Sequence, residues 1–207
     1  MVEITLNYEK PLTPIPFTAE VLVQAYSQGF FPMPHPDTNE IMWFHPDPRA
    51  VFPLDGFHCS RSFKRTLNRK TFEVSFNKDF KKTMEGCADR PDSWINEQFM
   101  DVYGELHELG YAHSVEVWSE SKMVGGLYGV SINGGFFAES MFHYKTDASK
   151  FAIYHLIKHM NERSMALLEV QFITDHLQSL GAITISREKY LNKLESALAL
   201  KTSFGSV

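Results

Sequence analysis

The chain has 207 residues, of which 43% are hydrophobic and 22% are charged, a composition that can bury the core of a folded globular protein. A formal net charge of -5 excludes a uniformly basic nucleic-acid coat but permits a local basic patch. Cys59 and Cys87 have no zinc-finger or C-x-x-C spacing, so they favour a reducing cytoplasm over a disulfide framework. Because the chain has no signal-peptide pattern and no apolar run of ~20 residues, we expect no secretion and no membrane partner.

The first part of the chain is rich in proline, which interrupts regular structure. One helix is predicted there, over residues 19–28, because Thr18 can cap its start and Gly29 can end it. A short strand is predicted at 41–44, and the segment 45–48 (HPDP) is typical of a connection. We therefore predict two units, a small N-terminal lobe of residues 1–47 and a main domain of residues 48–207.

The main domain shows a regular pattern. Asn133-Gly134 separates two alternating segments and indicates a hairpin, which predicts a three-stranded antiparallel meander over 113–119, 123–132 and 135–141. Further strands are predicted at 71–76 and 167–172. Helices are predicted to begin at the capping residues Ser60, Asn77, Asn96, Asp147, Thr174 and Ser186. Together the elements predict an α+β fold with an antiparallel meander and flanking helices.

Basic residues cluster on one predicted helix. Arg61, Lys64, Arg65 and Arg69 recur at spacings of three and four, so they share a face. Because no acidic residue lies in this stretch, local ion pairs do not explain the cluster. It therefore predicts contact with phosphate, and an ordinary solvated helix face is the alternative.

Two carboxylates lie in apolar strands. Strand alternation places Glu139 on the same face as Phe137 and Met141, which disfavours the alternative of a Glu on a solvent face. Because a buried carboxylate is costly without a partner, we expect a cation beside it. Glu169 and Gln171 are two residues apart on a strand and therefore share a face. A carboxylate beside an amide can hold and partly deprotonate an attacking amine. The polar face of an edge strand is the alternative interpretation of this pair.

A large ring lies in a loop between two predicted helices. Trp94 is either a core residue or a platform on which a base stacks. The nine histidines show no metal-ligand spacing, and Ser140 lacks the G-x-S-x-G context of a serine nucleophile. We therefore expect no metal site and no serine nucleophile.

Several further stretches, spread in order over about residues 20–195, match the sequence pattern of one family. They include Gly29-Phe30-Phe31-Pro32, Pro46-Asp47-Pro48-Arg49, Ser93-Trp94-Ile95, Val124-Gly125-Gly126-Leu127-Tyr128-Gly129-Val130, Glu139-Ser140-Met141-Phe142 and Asp147-Ala148-Ser149-Lys150. Together they resemble the leucyl/phenylalanyl-tRNA–protein transferase family. The resemblance implies a GNAT-like main domain and an enzyme that moves Leu or Phe from aminoacyl-tRNA to the N-terminal Lys or Arg of a protein, which marks that protein for degradation. It implies no cofactor, and we expect a monomer.

The resemblance also assigns roles to residues. The basic helix would hold the tRNA acceptor stem, and Trp94 would stack on the terminal adenosine, with Met33 standing where the family usually has Trp. Glu169 and Gln171 match the family's acid/amide pair, in which Asp is usual at position 169, and we assign Glu139 to orienting a positively charged substrate group. The pocket for the transferred side chain would be lined by Leu127, Phe136, Ile153, Leu156, Met160 and Leu168.

Two other functions stay open on the sequence. The first is an acetyl-CoA-dependent N-acetyltransferase of the same fold, but residues 141–147 contain no glycine where such enzymes place a Gly-rich pyrophosphate loop. The second is a non-catalytic module that binds N-terminal peptides or RNA, which is favoured only if Glu169 and Gln171 are dispensable.

Overall fold

A computed structural model describes residues 15–69, 71–90 and 93–207. The helices in these ranges are α1 (Ala19–Ser27), α2 (Arg61–Asn68), α3 (Phe80–Ala88), α4 (Glu97–Glu108), α5 (Ala148–Glu162), α6 (Asp175–Ser179) and α7 (Arg187–Leu198). The strands are β1 (Phe31–Pro34), β2 (Ile41–Phe44), β3 (Arg49–Phe52), β4 (Glu73–Phe76), β5 (Ala112–Ser119), β6 (Lys122–Ile132), β7 (Gly135–His143), β8 (Leu167–Gln171) and β9 (Ile183–Ile185).

The strands form two sheets. β1 and β2 pair antiparallel with each other, and the remaining strands form a seven-stranded sheet in the order β4-β5-β6-β7-β8-β3-β9. Only β7 and β8 run parallel within it, and α5 connects them. These two strands pair over just three residues, from Gly135–Leu167 to Phe137–Glu169. Beyond that point β7 and β8 do not pair with each other, so the sheet splits between them where Glu139 and Gln171 lie.

The two faces of the large sheet bury separate cores. Neighbouring residues on one strand, such as Phe136 and Phe137, point to opposite faces and belong to different clusters. The first core contains side chains from α1, α3, α4 and α7. The second core contains side chains from α2 and most of the buried face of α5.

The structure confirms the α+β prediction and most of the predicted boundaries. Strands β5, β6 and β7 form the expected antiparallel meander, and β4 adds a fourth antiparallel strand to it. Asn133 adopts a φ of 51° in the hairpin between β6 and β7, as its turn chemistry favours. Five predicted caps accept a hydrogen bond from the first helical turn: Thr18, Ser60, Asn96, Thr174 and Ser186.

Two predicted caps are wrong. Helix α3 begins later than predicted and is capped by Asp79, because Asn77 has a φ of 56° and binds the backbone N–H of Ser114 instead. Asp147 precedes α5 but makes no cap hydrogen bond, since its φ is 69°. Its carboxylate accepts a hydrogen bond from Thr66 at 2.9 Å, which ties α2 to the start of α5.

Three strands were not predicted: β1, β3 and β9. They have three or four residues each, too few for a period to be visible, and two of them lie in or beside proline-rich segments. Strand β3 lies between β8 and β9, so β8 is an interior strand. The interpretation of Glu169 and Gln171 as the polar face of an edge strand is therefore wrong.

Candidate active site

Glu139 is the centre of a buried hydrogen-bond network at the split in the sheet. Its carboxylate accepts hydrogen bonds from the Tyr26 hydroxyl at 2.7 Å, the Tyr103 hydroxyl at 3.1 Å and Gln171 Nε2 at 2.9 Å. The two hydroxyl oxygens lie 2.6 Å apart. All of these donors are neutral, so the expected cation beside Glu139 is wrong: α1, α4 and β8 supply uncharged donors instead.

Burial governs the protonation of this network. It raises the pKa of Glu139 to about 8, although the hydrogen bonds from Tyr26, Tyr103 and Gln171 oppose the shift. Burial and the nearby Glu139 carboxyl raise the pKa values of Tyr26 and Tyr103 well above 10, so both stay neutral donors. Glu139 is therefore the group of the network whose charge changes near neutral pH.

This shift predicts a pH-dependent stability. The folded protein keeps a proton on Glu139 that the unfolded chain releases, so stability should fall as pH rises from about 4.5 to about 8. The slope should be at most ~1.4 kcal/mol per pH unit. Urea unfolding of wild type and Glu139→Gln between pH 5 and 9 measures it, with exposed Glu105→Gln as the control. Parallel pH dependence in wild type and Glu139→Gln would contradict the shift.

Glu169 pairs with a residue that the sequence analysis left without a role. Its Oε1 accepts a hydrogen bond from Arg49 Nε at 2.9 Å, and both side chains are fully buried. The Arg49 guanidinium also donates to the Gly29 carbonyl at 2.8 Å and lies between the rings of Phe31 and Tyr190 at 4.6 and 4.5 Å. Arg49 therefore holds the Glu169 carboxylate in a fixed orientation inside the first core.

The same carboxylate also holds Gln171. Glu169 Oε1 accepts a hydrogen bond from the Gln171 backbone N–H. Gln171 has a φ of 61°, a left-handed conformation that costs a non-glycine residue on the order of 1–3 kcal/mol and is found at functional sites. Glu169 Oε2 is buried with no hydrogen-bond partner among the described residues. Glu139, Glu169 and Gln171 thus form one unit, with one acceptor oxygen still unused.

The residues predicted to line the side-chain pocket also come together, but on the other face of the sheet. All six belong to the second core and are no more than 5% exposed: Leu127, Phe136, Ile153, Leu156, Met160 and Leu168. Ile153, Leu156 and Met160 lie on one face of α5, as their spacing predicts. Because β7 and β8 no longer pair with each other beyond Phe137, the split is where groups on the two faces of the sheet can approach one another.

The basic helix lies beside this region. Arg61, Lys64, Arg65 and Arg69 are exposed, and Phe63 anchors the opposite face of α2 in the second core. The hydrogen bond from Thr66 to Asp147 places α2 at the N-terminal end of α5. In the described parts of the chain none of the four cations forms an ion pair, so the face is available to an anion.

Trp94 and Met33 are both half-buried against the first core. The Trp94 ring packs edge-on against Phe99 at 5.0 Å, and Phe99 contacts Phe17 at 4.7 Å. Met33 lies opposite Met42 in the β1–β2 ribbon. Trp94 is thus partly a core residue and partly accessible. Its role and that of Met33 in nucleotide binding stay predictions.

Sequence reasoning missed Arg49, Tyr26 and Tyr103 as site residues. Arg49 does carry a signal, since it is the one charged residue in Pro48-Arg49-Ala50-Val51-Phe52. The tyrosines carry none, because their partner Glu139 lies far along the chain. Across the ranges that the structure describes, no three His, Cys, Asp or Glu side chains could hold a metal ion together, and no helix is long and apolar enough to span a membrane.

The large sheet of this α+β fold splits between two parallel strands, and a buried acid/amide pair lies at that split. Comparison with known proteins specifies the family. A family model described as leucyl/phenylalanyl-tRNA protein transferase matches residues 51–195, and one for the N-terminal domain of the same proteins matches 16–47. This chain belongs to the leucyl/phenylalanyl-tRNA–protein transferase family and is an aminoacyltransferase.

Named relatives agree over nearly the whole chain. The leucyl/phenylalanyl-tRNA–protein transferase of Gloeobacter violaceus is 44% identical over 190 residues, which cover 92% of this chain and 98% of that protein. That of Ruegeria pomeroyi is 46% identical over 189 residues, covering 91% and 90%. The family resemblance seen in the sequence is therefore confirmed.

Solved structures show more distant likeness. A ribosomal-protein-alanine N-acetyltransferase from Brucella melitensis has a TM-score of 0.39 and 11% identity, covering 52% of this chain and 84% of that one. The L-PGS of Bacillus licheniformis has a TM-score of 0.39 and 13% identity, covering 80% and 49%. Neither likeness bears on the chemistry.

Proposed function

We propose that this protein transfers Leu or Phe from aminoacyl-tRNA to the N-terminal Lys or Arg of an acceptor protein and so marks that protein for degradation. The observation that carries the proposal is the orientation of Gln171 at the split. Its amide NH2 donates to Glu139, which leaves its Oε1 to accept a hydrogen bond from the incoming α-amine. We also propose that the protein acts as a cytoplasmic monomer without a cofactor.

The reaction needs positioning more than activation, because the aminoacyl ester is already reactive. The neutral α-amine attacks the ester carbonyl carbon and forms the new C–N bond. The ester C–O bond to the tRNA ribose breaks, and the proton lost by the amine ends on the ribose oxygen. Gln171 Oε1 aligns the amine, and the unused Oε2 of Glu169 can take the proton on its way.

Glu139 sets the orientation of the Gln171 amide. Its carboxyl oxygens accept a hydrogen bond from the amide NH2, and the hydroxyls of Tyr26 and Tyr103 hold the carboxyl group in place. In this proposal Glu139 acts through Gln171. Because its pKa is about 8, it releases its proton and adds negative charge to the site when a basic acceptor residue approaches. The preference for N-terminal Lys or Arg rests on the family resemblance and on this charge.

The two substrates would approach the split from different directions. The donor side chain would enter the second core between α5 and the sheet, among the six predicted pocket residues. The tRNA acceptor stem would then lie along α2, beside the start of α5.

The N-terminal lobe, residues 1–47, contributes Met33 and has its own β1–β2 sheet, which supports a division from the catalytic domain at 48–207.

A transfer assay tests the proposed function. Radiolabelled Leu-tRNA and Phe-tRNA are offered with peptides that differ only in the N-terminal residue, and acetyl-CoA replaces the tRNA in a parallel reaction. We expect label in peptides that begin with Lys or Arg and none in those that begin with Ala or Glu. Binding of tRNA or peptide without transfer would favour a binding module, and acetylation would favour the acetyltransferase.

Charge reversal on α2 tests the tRNA surface. Arg65→Glu with Arg69→Glu should weaken tRNA binding and flatten its salt dependence, because each lost phosphate contact removes about one released counterion. The logarithmic slope should therefore fall by about one to two. Titration of Leu-tRNA at several salt concentrations measures it. Lys193→Glu, an exposed reversal on α7, is the control and should change neither quantity. An unchanged slope in the double variant would remove α2 from the tRNA surface.

A further inference from the structure

The end of the chain folds back onto the sheet. Phe204 lies in the segment that follows α7, outside the span that the family model matches, yet it is 2% exposed. Hydrogen bonds hold this segment in place. Here the Thr202 hydroxyl donates to the Arg163 carbonyl at 2.5 Å, and Asn77 Nδ2 donates to the Ser206 carbonyl at 3.1 Å. His159 Nε2 hydrogen-bonds to the Phe204 carbonyl at 2.6 Å.

The Phe204 ring occupies a defined aromatic site. Its centroid lies 4.5 Å from that of His113, 4.4 Å from His159 and 5.9 Å from Phe76. Burial lowers the pKa of His113 to about 4, so this neighbour is uncharged at neutral pH. The fourth neighbour is Phe136, whose ring lies 5.2 Å from that of Phe204.

Phe136 connects the tail to the proposed pocket. Both phenylalanines belong to the second core, which contains all six pocket residues, and Phe136 lies beside Leu168 in the sheet. His159, which binds the Phe204 carbonyl, immediately precedes pocket residue Met160 on α5. Phe204 thus contacts pocket residue Phe136 and is tied to α5 one residue before pocket residue Met160. Because protein interiors are close-packed, a side chain in this place limits how far the Phe136 ring can retreat.

We infer that Phe204 sets the depth of the donor side-chain pocket through Phe136, which makes the C-terminal tail a specificity element for Leu against Phe. This inference rests on the proposed function and adds to it a positioning residue that lies outside the matched family span. Removing the ring leaves space into which Phe136 can move. The pocket then accepts a larger side chain better and holds Leu less closely.

Competition between donors tests the inference. Full-length wild type and Phe204→Ala are given Leu-tRNA and Phe-tRNA together with a peptide that begins with Arg. We expect the ratio of kcat/KM for Phe-tRNA to that for Leu-tRNA to rise about 10-fold or more, within the range that small volume changes in an apolar pocket produce. Phe204→Leu keeps most of the volume and should shift the ratio in the same direction by a smaller factor.

A matched control separates depth from general loosening. Phe72 packs against the same core, but its described ring contact is Phe151, at 5.5 Å, on another part of α5. Phe72→Ala should lower stability and leave the donor ratio unchanged. An unchanged ratio in folded Phe204→Ala overturns the inference, as does an equal shift in Phe72→Ala. If Phe204→Ala does not fold, an unchanged ratio in Phe204→Leu overturns it in the same way.

The two proposals fail differently in this experiment. Wild-type protein that transfers neither donor overturns the proposed function and, with it, the assignment of Phe204. Wild-type protein that transfers both donors, with a ratio that no Phe204 variant changes, overturns only the inference about the tail.

Discussion

Replacing Gln171 with alanine should lower the rate of aminoacyl transfer by about 100-fold or more, because the attacking amine loses the group that aligns it with the ester and with the proton acceptor Glu169. Gln171 is held by Glu139 through its side chain and by Glu169 through its backbone N–H, so its free Oε1 has a fixed place at the split. Glu169→Ala should cost about as much, because it removes both the backbone contact and the unused acceptor oxygen. Steady-state transfer from Leu-tRNA to a peptide that begins with Arg measures both effects.

Three further variants make this prediction specific. The double alanine variant should lose little beyond the worse single one, since residues that act as one unit are not additive. Glu169→Asp should keep part or all of the activity if the carboxylate matters more than its reach. Exposed Gln98→Ala on α4 is the control and should transfer normally. Donor affinity should survive in every variant, because the proposed side-chain pocket lies on the other face of the sheet.

Replacing Arg49 with methionine should lower the free energy of unfolding by about 3–5 kcal/mol. The substitution leaves Glu169 buried without its cation, and an uncompensated buried charge is strongly destabilising. Arg49→Met together with Glu169→Gln should recover much of the loss, because neither charge is then left alone. Urea unfolding at neutral pH measures both variants against wild type.

Arg187→Met is the matched control for this prediction. Arg187 is exposed and donates to the His45 carbonyl at 3.2 Å, so its loss should change the free energy of unfolding by no more than about 0.5 kcal/mol. An Arg49→Met variant as stable as Arg187→Met would show that the pair with Glu169 contributes nothing measurable. Failure of the double variant to recover stability would assign the loss to the contacts of Arg49 with Phe31 and Tyr190 instead.

Local chemistry explains which parts of the fold could be predicted. A cap such as Ser60 or Ser186 binds a backbone N–H three residues away, so the whole interaction is visible in a short stretch of sequence. The Asn133-Gly134 hairpin is equally local. Asp147 and Asn77 do not make the predicted cap hydrogen bonds, because their side chains bind the long-range partners Thr66 and Ser114 instead.

The site depended on contacts that no local pattern contains. Arg49 and Glu169 are 120 residues apart, and Tyr26 and Glu139 are 113 residues apart. Sequence spacing correctly placed Ile153, Leu156 and Met160 on one helix face, and the strand period correctly placed Glu169 with Gln171. The strand period also placed pocket residue Leu168 on the face opposite the pair. It could not show that Arg49 is the partner of Glu169, because that contact depends on β3 joining the sheet beside β8. The left-handed backbone of Gln171 likewise has no sequence signal.

The most direct measurement of the proposed reaction is a single turnover from bound Leu-tRNA to a peptide that begins with Arg, with the product identified by mass. In wild type we predict a peptide extended by one N-terminal Leu. In Gln171→Ala we predict the same product, formed about 100-fold more slowly, with the donor bound as tightly as in wild type. Equal single-turnover rates in the two folded proteins, or the absence of an extended peptide with wild type, would contradict the role proposed for this site.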